Sequence, residues 1–321
     1  MNRYRLFHVT EFNYDGAVTE SYNEVRLRPM QDERQSCLSF RLSTTPTTRV
    51  DSHADYWGNW VHRFNVLAEH RRLRIEADSL VLVQAPPPFP VGGPELGELA
   101  NLTPDLDEHY ELLAATDYVP HAPQLRDLVD SAEHSSDGSL TSFVRAASTL
   151  VHHTFRYEKG ATHVHSSIRD ALATRTGVCQ DFAHILLAVV RMRGIPGRYV
   201  SGYLVPARTA QPGASAEEII GGQASHAWVE VFLPGFGWHA LDPTLGKDVG
   251  LQHVRLAYGR DYGDVAPVRG VYKGHAGQQL SVDVRVRPAL DSEGNEHLEE
   301  TAAIPADLLP DALPQQQQQQ Q

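Results

Sequence analysis

Thr174–Gly194 constrains this chain more than any other stretch. Phe182, Ile185, Leu186, Leu187, Val189, Val190 and Met192 leave almost no polar face, which predicts a buried helix. Gly177 supplies a flexible approach, and Asp181 falls in the first turn, where negative charge suits the helix dipole. Arg191 and Arg193 occupy the last turn, Gly194 closes it, and Pro196 prevents continuation. Cys179 therefore stands at the N-terminus of a buried rod. Unpaired backbone N–H groups at such a position favour thiolate over thiol, which is one way to make a nucleophile.

Composition narrows the classes. The chain has 321 residues, enough for two domains or one large one. Its formal charge is −12, and residues 288–321 carry seven acidic side chains with no Lys or Arg. That balance argues against a nucleic-acid surface. No apolar run is long enough to span a membrane, and the polar N-terminus shows no secretory signal, so cytoplasm is the expected compartment. Two cysteines, Cys37 and Cys179, exclude a disulfide framework.

Residues 1–84 read as a small all-β domain, sandwich-like or barrel-like. The stretch from Arg3 to Tyr14 alternates, and Arg71–Val83 closes the run. Asp55–Phe64 carries a Gly-Asn turn between strand-like flanks, a hairpin signature. Leu38, Phe40 and Leu42 share one predicted face, with Cys37 on the other. Residues 85–103 open with four prolines in six positions and read as a stiff linker. A second region of mixed helices and strands is expected over 104–290. Within it, 104–115 and 121–134 are weak helix candidates. The run from Leu140 is a stronger one behind a Ser139 cap, and Ser167–Asp170 resembles a capping box. Arg198–Val205, Ala224–Leu233, Trp238–Thr244 and Leu280–Arg287 read as strands. The acidic, glutamine-rich segment 291–321 is expected to be disordered.

Cys179, His226 and Asp242 are the chemical candidates. Thiol chemistry needs a base to hold the thiolate and a third group to orient the imidazole. On the strand before the Pro234–Gly237 turn, His226, Trp228, Glu230 and Phe232 share a face; on the strand after it, Trp238, Ala240 and Asp242 do. An odd-length loop pairs even with even and sets His226 and Asp242 on one side, directly opposite or diagonal. An even-length loop would separate them.

With these residues in view, the chain resembles the transglutaminase-like cysteine enzymes, in their bacterial branch with an N-terminal β domain. The blocks carrying the resemblance are G-V-C-Q-D-F-A-H (177–184), residues 193–204, S-H-A-W-V-E-V-F (225–232) and G-W-H-A-L-D-P-T (237–244). Residues 21–29, 55–59 and 259–270 match the branch as well. The resemblance implies a papain-like α+β core, with Cys179 as nucleophile, His226 as base and Asp242 as orienter. It implies attack on a carboxamide of a peptide or protein and transfer of the acyl group to water or an amine, with no cofactor. Animal members carry an upstream tryptophan as oxyanion donor, but this chain has none between Trp60 and Trp228. The Cys179 backbone N–H, with Tyr157 or the Gln180 side chain, are the substitutes considered. No acidic loop suggests a calcium site. The reading from another class is a non-catalytic peptide-binding module that keeps the fold.

Other residues have plainer readings. Cys37 reads as a small hydrophobe, and Asp181 as a helix cap. His184 falls on a different helix face from Cys179, against a shared metal site. His152, His153, His163 and His165 read as solvated, without converging ligands. Trp228 and Trp238 fit cleft or core packing equally. Asp55, Asn59, Arg260, Asp261 and Asp264 either line the substrate cleft or hold the two domains together.

Overall fold

The structure, a computed structural model, describes residues 1–102, 108–163, 166–205 and 225–289. Its first half holds strands β1 (Asn2–Val25), β2 (Gln35–Thr45), β3 (Val50–Ala54), β4 (Trp60–Val66) and β5 (His70–Val83). Helices α1 (Arg126–His134) and α2 (Leu140–Thr154) follow, then β6 (Arg156–Tyr157), α3 (Ile168–Thr174), β7 (Thr176–Gly177) and α4 (Cys179–Met192). The remainder is β8 (Gly197–Leu204), β9 (Ser225–Leu233), β10 (Gly237–Asp242), β11 (Lys247–Asp248), β12 (His253–Gly259), α5 (Tyr262–Val265), β13 (Val268–Lys273) and β14 (Gln278–Pro288).

The alternation at the N-terminus yields one strand of 24 residues. The first half of β1 pairs with β5 and its second half with β4, with a register break between Asn13 and Val18. β1 thus passes from one sheet layer into another. Phe12, Val18, Phe64, Leu73 and Ile75 fill the core between the layers. β2 carries a bulge between Cys37 and Ser39, which takes Leu38 out of phase and leaves it 49% exposed. The predicted Leu38–Phe40–Leu42 face is therefore broken at its first member.

Both ends of the chain build this β region. β14 pairs along β1 from Tyr4 to Tyr14, and β13 pairs with its second half. The boundary drawn at residue 290 is corrected accordingly: the last two strands belong to the N-terminal sheets. The alternating L-S-V-D-V-R-V buries Leu280, Val284 and Val286 against that core, which satisfies the remaining edge of β1. Residues 85–94 have no regular structure, as their prolines dictate, but they are not a free spacer. Phe89 is buried against His239, and the Gly92 carbonyl accepts from the Thr141 hydroxyl at 2.6 Å.

In the core, an antiparallel sheet runs in the order β11-β10-β9-β8-β12. α4 lies on one face, where Ile185, Leu186 and Val189 meet Ala227, Val229 and Val231. Tyr203, Leu251, Val254 and Leu256 pack instead on Tyr4, Leu6 and Val81 of the β region. The core sheet is thus sandwiched between helices and the N-terminal strands. α2 begins at the predicted Ser139 cap, whose hydroxyl accepts from the Ser142 N–H, and α3 at Ser167, which accepts from Arg169 N–H. The candidate at 121–134 forms a 3-10 turn (Pro123–Leu125) followed by α1. Of the candidate at 104–115, residues 104–107 lie outside the described residues, and Tyr110–Leu113 is a 3-10 turn. The tail beyond 289 also lies outside them.

Candidate active site

α4 starts at Cys179 because the chain arrives extended through Val178 and Asp181 closes the first turn. The Asp181 carboxylate accepts from the Val178 N–H at 2.8 Å and from the Thr162 hydroxyl at 2.5 Å. Burial pushes its carboxyl pKa up, against those two hydrogen bonds. Asp181 is therefore a cap held inside the protein. Gly177 is required for space: a Cβ there would stand 2.7 Å from an Asp181 carboxylate oxygen. From Gln180 to Arg191 the helix is buried, while Cys179 at its tip stays partly exposed.

The hairpin behaves as the odd-loop argument requires. Leu233 pairs with Gly237 and Phe232 with Trp238 around a three-residue loop. Continued by one residue beyond Leu241–Val229, this register sets Asp242 opposite Trp228 and diagonal to His226. His226 Nε2 and Asp242 Oδ2 lie 2.7 Å apart. That leaves Nδ1 free of Asp242, and the Cys179 side chain is near enough to the His226 ring to raise its pKa. The three residues named in the sequence are thus brought together.

Asp242 is fully buried, so its charge must be answered from within. Oδ1 accepts from the backbone N–H of Thr244 at 2.9 Å and of Leu245 at 3.0 Å. Oδ2 accepts from His226 and from a residue the sequence reading did not pick out, His253, at 3.1 Å. Burial raises the pKa of an isolated carboxyl, but the His226 charge and hydrogen bond, with a hydrogen bond from His253, bring Asp242 below the usual range. For His226 burial disfavours the imidazolium; the Asp242 charge and hydrogen bond, with a smaller contribution from Cys179, outweigh it and push the pKa up to about 10. A carboxylate, an imidazole and a thiol in this order suit nucleophilic sulfur chemistry.

Behind Cys179, His226 and Asp242 lies a second buried charge. Glu230, two residues beyond Trp228 on β9, is bound by Arg198 at 2.7 Å, Arg255 at 2.9 Å and Arg34 at 3.3 Å. Burial favours its neutral form, but the three guanidinium groups hold the pKa down at about 2. Arg255 also pairs with Asp32. This network spans the β region and the core sheet.

Several other candidates find their places. Trp228 is wholly buried among Val200, Ala240 and Val249, so it is core packing behind His226 and not a cleft residue. Its indole edge fits against Gly202, where a Cβ would come within 2.4 Å of the ring. Tyr157 lies on β6, paired with Gly177 beside the cysteine loop, and its ring packs 6.4 Å from Phe182. Gln180 is buried in the first turn of α4. His184 is buried, and its Nε2 accepts from the Tyr262 N–H at 3.2 Å; burial, then Arg191, lowers its pKa to about 3. His152, half-buried, bonds the Thr244 carbonyl at 3.0 Å and so supports the loop after Asp242, a correction to its reading as solvated. His165 lies outside the described residues.

Asn59 joins the two regions: its side chain donates to the Tyr258 carbonyl at 2.8 Å and accepts from Tyr258 N–H at 2.9 Å. Asp55 anchors the Asn59 turn and pairs with Arg26, while Arg260 and Asp264 pair with each other and Asp261 caps α5. Of the two readings for this group, these contacts are structural.

Among the described residues, the one set of His, Cys, Asp or Glu side chains close enough to share a metal ion is His226, Asp242 and His253. Both imidazole Nε2 atoms lie at hydrogen-bond distance from the same carboxylate oxygen, at 2.7 and 3.1 Å.

Comparison with known proteins agrees with this architecture. Residues 4–82 match the bacterial transglutaminase-like N-terminal region, and residues 126–243 the transglutaminase-like superfamily. An uncharacterized protein of Mycobacterium leprae (strain TN) is 37% identical over 288 residues, covering 89% of this chain and 99% of its own. An uncharacterized protein of Mycobacterium tuberculosis (strain ATCC 25618 / H37Rv) is 34% identical over 302 residues, covering 89% and 93%. A Pseudomonas aeruginosa protein-glutamine gamma-glutamyltransferase is 36% identical over 72 residues, 22% of this chain and 10% of that protein. A solved structure from Cytophaga hutchinsonii, provisionally named a cysteine protease, superposes with a TM-score of 0.65 at 19% identity, covering 94% of this chain and 96% of that one. The chain belongs to the transglutaminase-like superfamily, with the bacterial N-terminal β region ahead of its core. No helix among the described residues is long and apolar enough to cross a membrane.

Proposed function

We propose that this protein is a cysteine enzyme acting on the carboxamides of peptides or proteins through a thioester at Cys179. The observation that carries this reading is the buried Asp242 carboxylate holding His226 as a cation beside the Cys179 thiol. In the first half-reaction the thiolate adds to the carbonyl carbon. His226 passes its Nδ1 proton to the departing nitrogen as the C–N bond breaks, leaving the acyl group on sulfur. In the second, His226 takes a proton from water or a primary amine as that nucleophile attacks, and the thiolate returns. The Cys179 N–H at the helix start is one donor to the transient oxyanion, and Tyr157 and Gln180 border it as candidates for a second.

The test is incubation with glutamine-containing peptides, with and without a primary amine. Ammonia release with formation of the carboxylate or of the amine adduct, abolished in Cys179→Ala, supports the reading and identifies the acceptor. Peptide bound unchanged by both proteins would instead indicate a binding module.

A further inference from the structure

We propose that His253 is a positioning residue for the Cys179 reaction, holding Asp242 ionised and in place as a second imidazole donor. The inference deepens the cysteine-enzyme reading and rests on it.

The hydrogen bonds fix the tautomer. His253 Nδ1 lies 3.1 Å from the Gly250 N–H, which can only donate, so Nδ1 accepts. A neutral ring with Nδ1 as acceptor carries its proton on Nε2, and Nε2 faces Asp242 Oδ2 at 3.1 Å. Asp242 then receives four donors, two on each oxygen, with no contact to solvent. His226 and His253 share Oδ2, so the carboxylate is fixed in rotation as well as in charge.

The ring itself is held. His253 is buried and stands edge-on to Trp228 at 5.2 Å. Its strand, β12, is the edge of the core sheet, which would leave a row of unpaired backbone groups. Side chains of the β region serve as the missing neighbour. Gln35 Oε1 accepts from the Arg255 N–H and Gln35 Nε2 donates to the Arg255 carbonyl, both at 2.8 Å, while Asn59 does the same at Tyr258. The N-terminal β region thereby sets the position of His253, and through it that of Asp242. Charged and titratable groups facing His253 are Asp242 and His226 on one side, and Glu230, Arg255 and Arg34 across a small cavity on the other.

Loss of one donor drives a buried carboxylate toward its neutral form. A carboxylate with one donor fewer is also free to turn away from His226, so it holds the imidazolium proton beside Cys179 less firmly. The experiment measures the rate of Cys179 alkylation by iodoacetamide from pH 4.5 to 8, resolved from Cys37 by peptide mass spectrometry. In H253L the acid limb should move to higher pH, with a roughly tenfold slower rate at pH 6. H253Q, which places an amide N–H where Nε2–H was, should recover to within about threefold of the parent. An H253L protein that folds and alkylates as the parent does overturns the proposal, as does equal impairment in both variants.

Nitrogen-15 spectra of the ring-labelled parent protein test the same point without substitution. A neutral Nε2–H tautomer for His253 supports the proposal, and an Nδ1–H tautomer overturns it. If Cys179 of the parent alkylates no faster than Cys37, the cysteine-enzyme reading itself falls; if it does but H253L changes nothing, only the role of His253 falls.

Discussion

Replacing Asp242 by asparagine tests the electrostatic core of the site with the smallest change of shape. The rise of the His226 pKa from 6.5 to about 10 corresponds to roughly 5 kcal/mol of preference for the imidazolium. Asp242 supplies the two largest favourable contributions, so an amide there forfeits more than half of that preference. The hydrogen bonds add a second penalty. The backbone N–H groups of Thr244 and Leu245 require an acceptor at Oδ1. An amide that keeps its oxygen there turns NH2 toward both imidazoles. His226 must then present a bare Nε2 and carry its proton on Nδ1, the wrong tautomer to draw a proton from Cys179. Loss of charge and reversal of tautomer together predict a fall of at least roughly 100-fold in Cys179 alkylation at pH 6. Cys37 is the internal reference: burial raises its pKa, and its rate should not change. Circular dichroism and a melting curve confirm that the variant is folded. A folded Asp242→Asn protein whose Cys179 alkylates at the parent rate at pH 6 would refute the reasoning.

Glu230→Gln leaves three buried or half-buried guanidinium groups around a neutral amide, so it should cost roughly 3–5 kcal/mol, read as a lower denaturant midpoint. The pH dependence follows from the same group. With its folded pKa at about 2, below the unfolded value, Glu230 contributes stability above about pH 4.5 that is lost as pH falls toward 2. The parent should accordingly show an acid-unfolding limb in that window, flattened in the variant. His226 has the opposite sign. Its folded pKa is raised, so its contribution is complete below about pH 6.5 and disappears as pH rises through about 10; the melting temperature of the parent should fall across that range more steeply than that of His226→Gln. Gly202→Ala would place a Cβ 2.2 Å from the Val254 carbonyl and 2.4 Å from the Trp228 ring, and should destabilise by about 1–3 kcal/mol or more in chemical denaturation.

Much of this site was legible in the sequence because it rests on local rules. A helix with no polar face has to be buried, and its capping residues mark where Cys179 stands. The even spacing of His226 and Asp242 around an odd-length loop carries directly into one side of a hairpin. What stayed hidden depends on chain-distant pairing. His253 reaches Asp242 from a strand at the far edge of the sheet, and nothing in H-V-R-L-A-Y distinguishes it from an ordinary strand histidine. The alternation of residues 280–287 marks β14 as a strand, yet alternation carries no information about its partner, so its place beside β1 is not legible in the sequence. Trp228 shares the alternating face of His226, but the depth of packing above that face decides between cleft and core, and Val200, Val249 and His253 supply it from other strands and loops.

The central claim is that Cys179 forms a covalent acyl intermediate. Mass spectrometry of the intact protein after rapid acid quench with a mixed library of glutamine- and asparagine-containing peptides tests it most directly. The account predicts an added acyl mass, less ammonia or an amine, mapped to the peptide containing Cys179 and released by hydroxylamine. It also predicts no such adduct in Cys179→Ala. Turnover of the amides with the label on another residue, or undiminished turnover in Cys179→Ala, would contradict it.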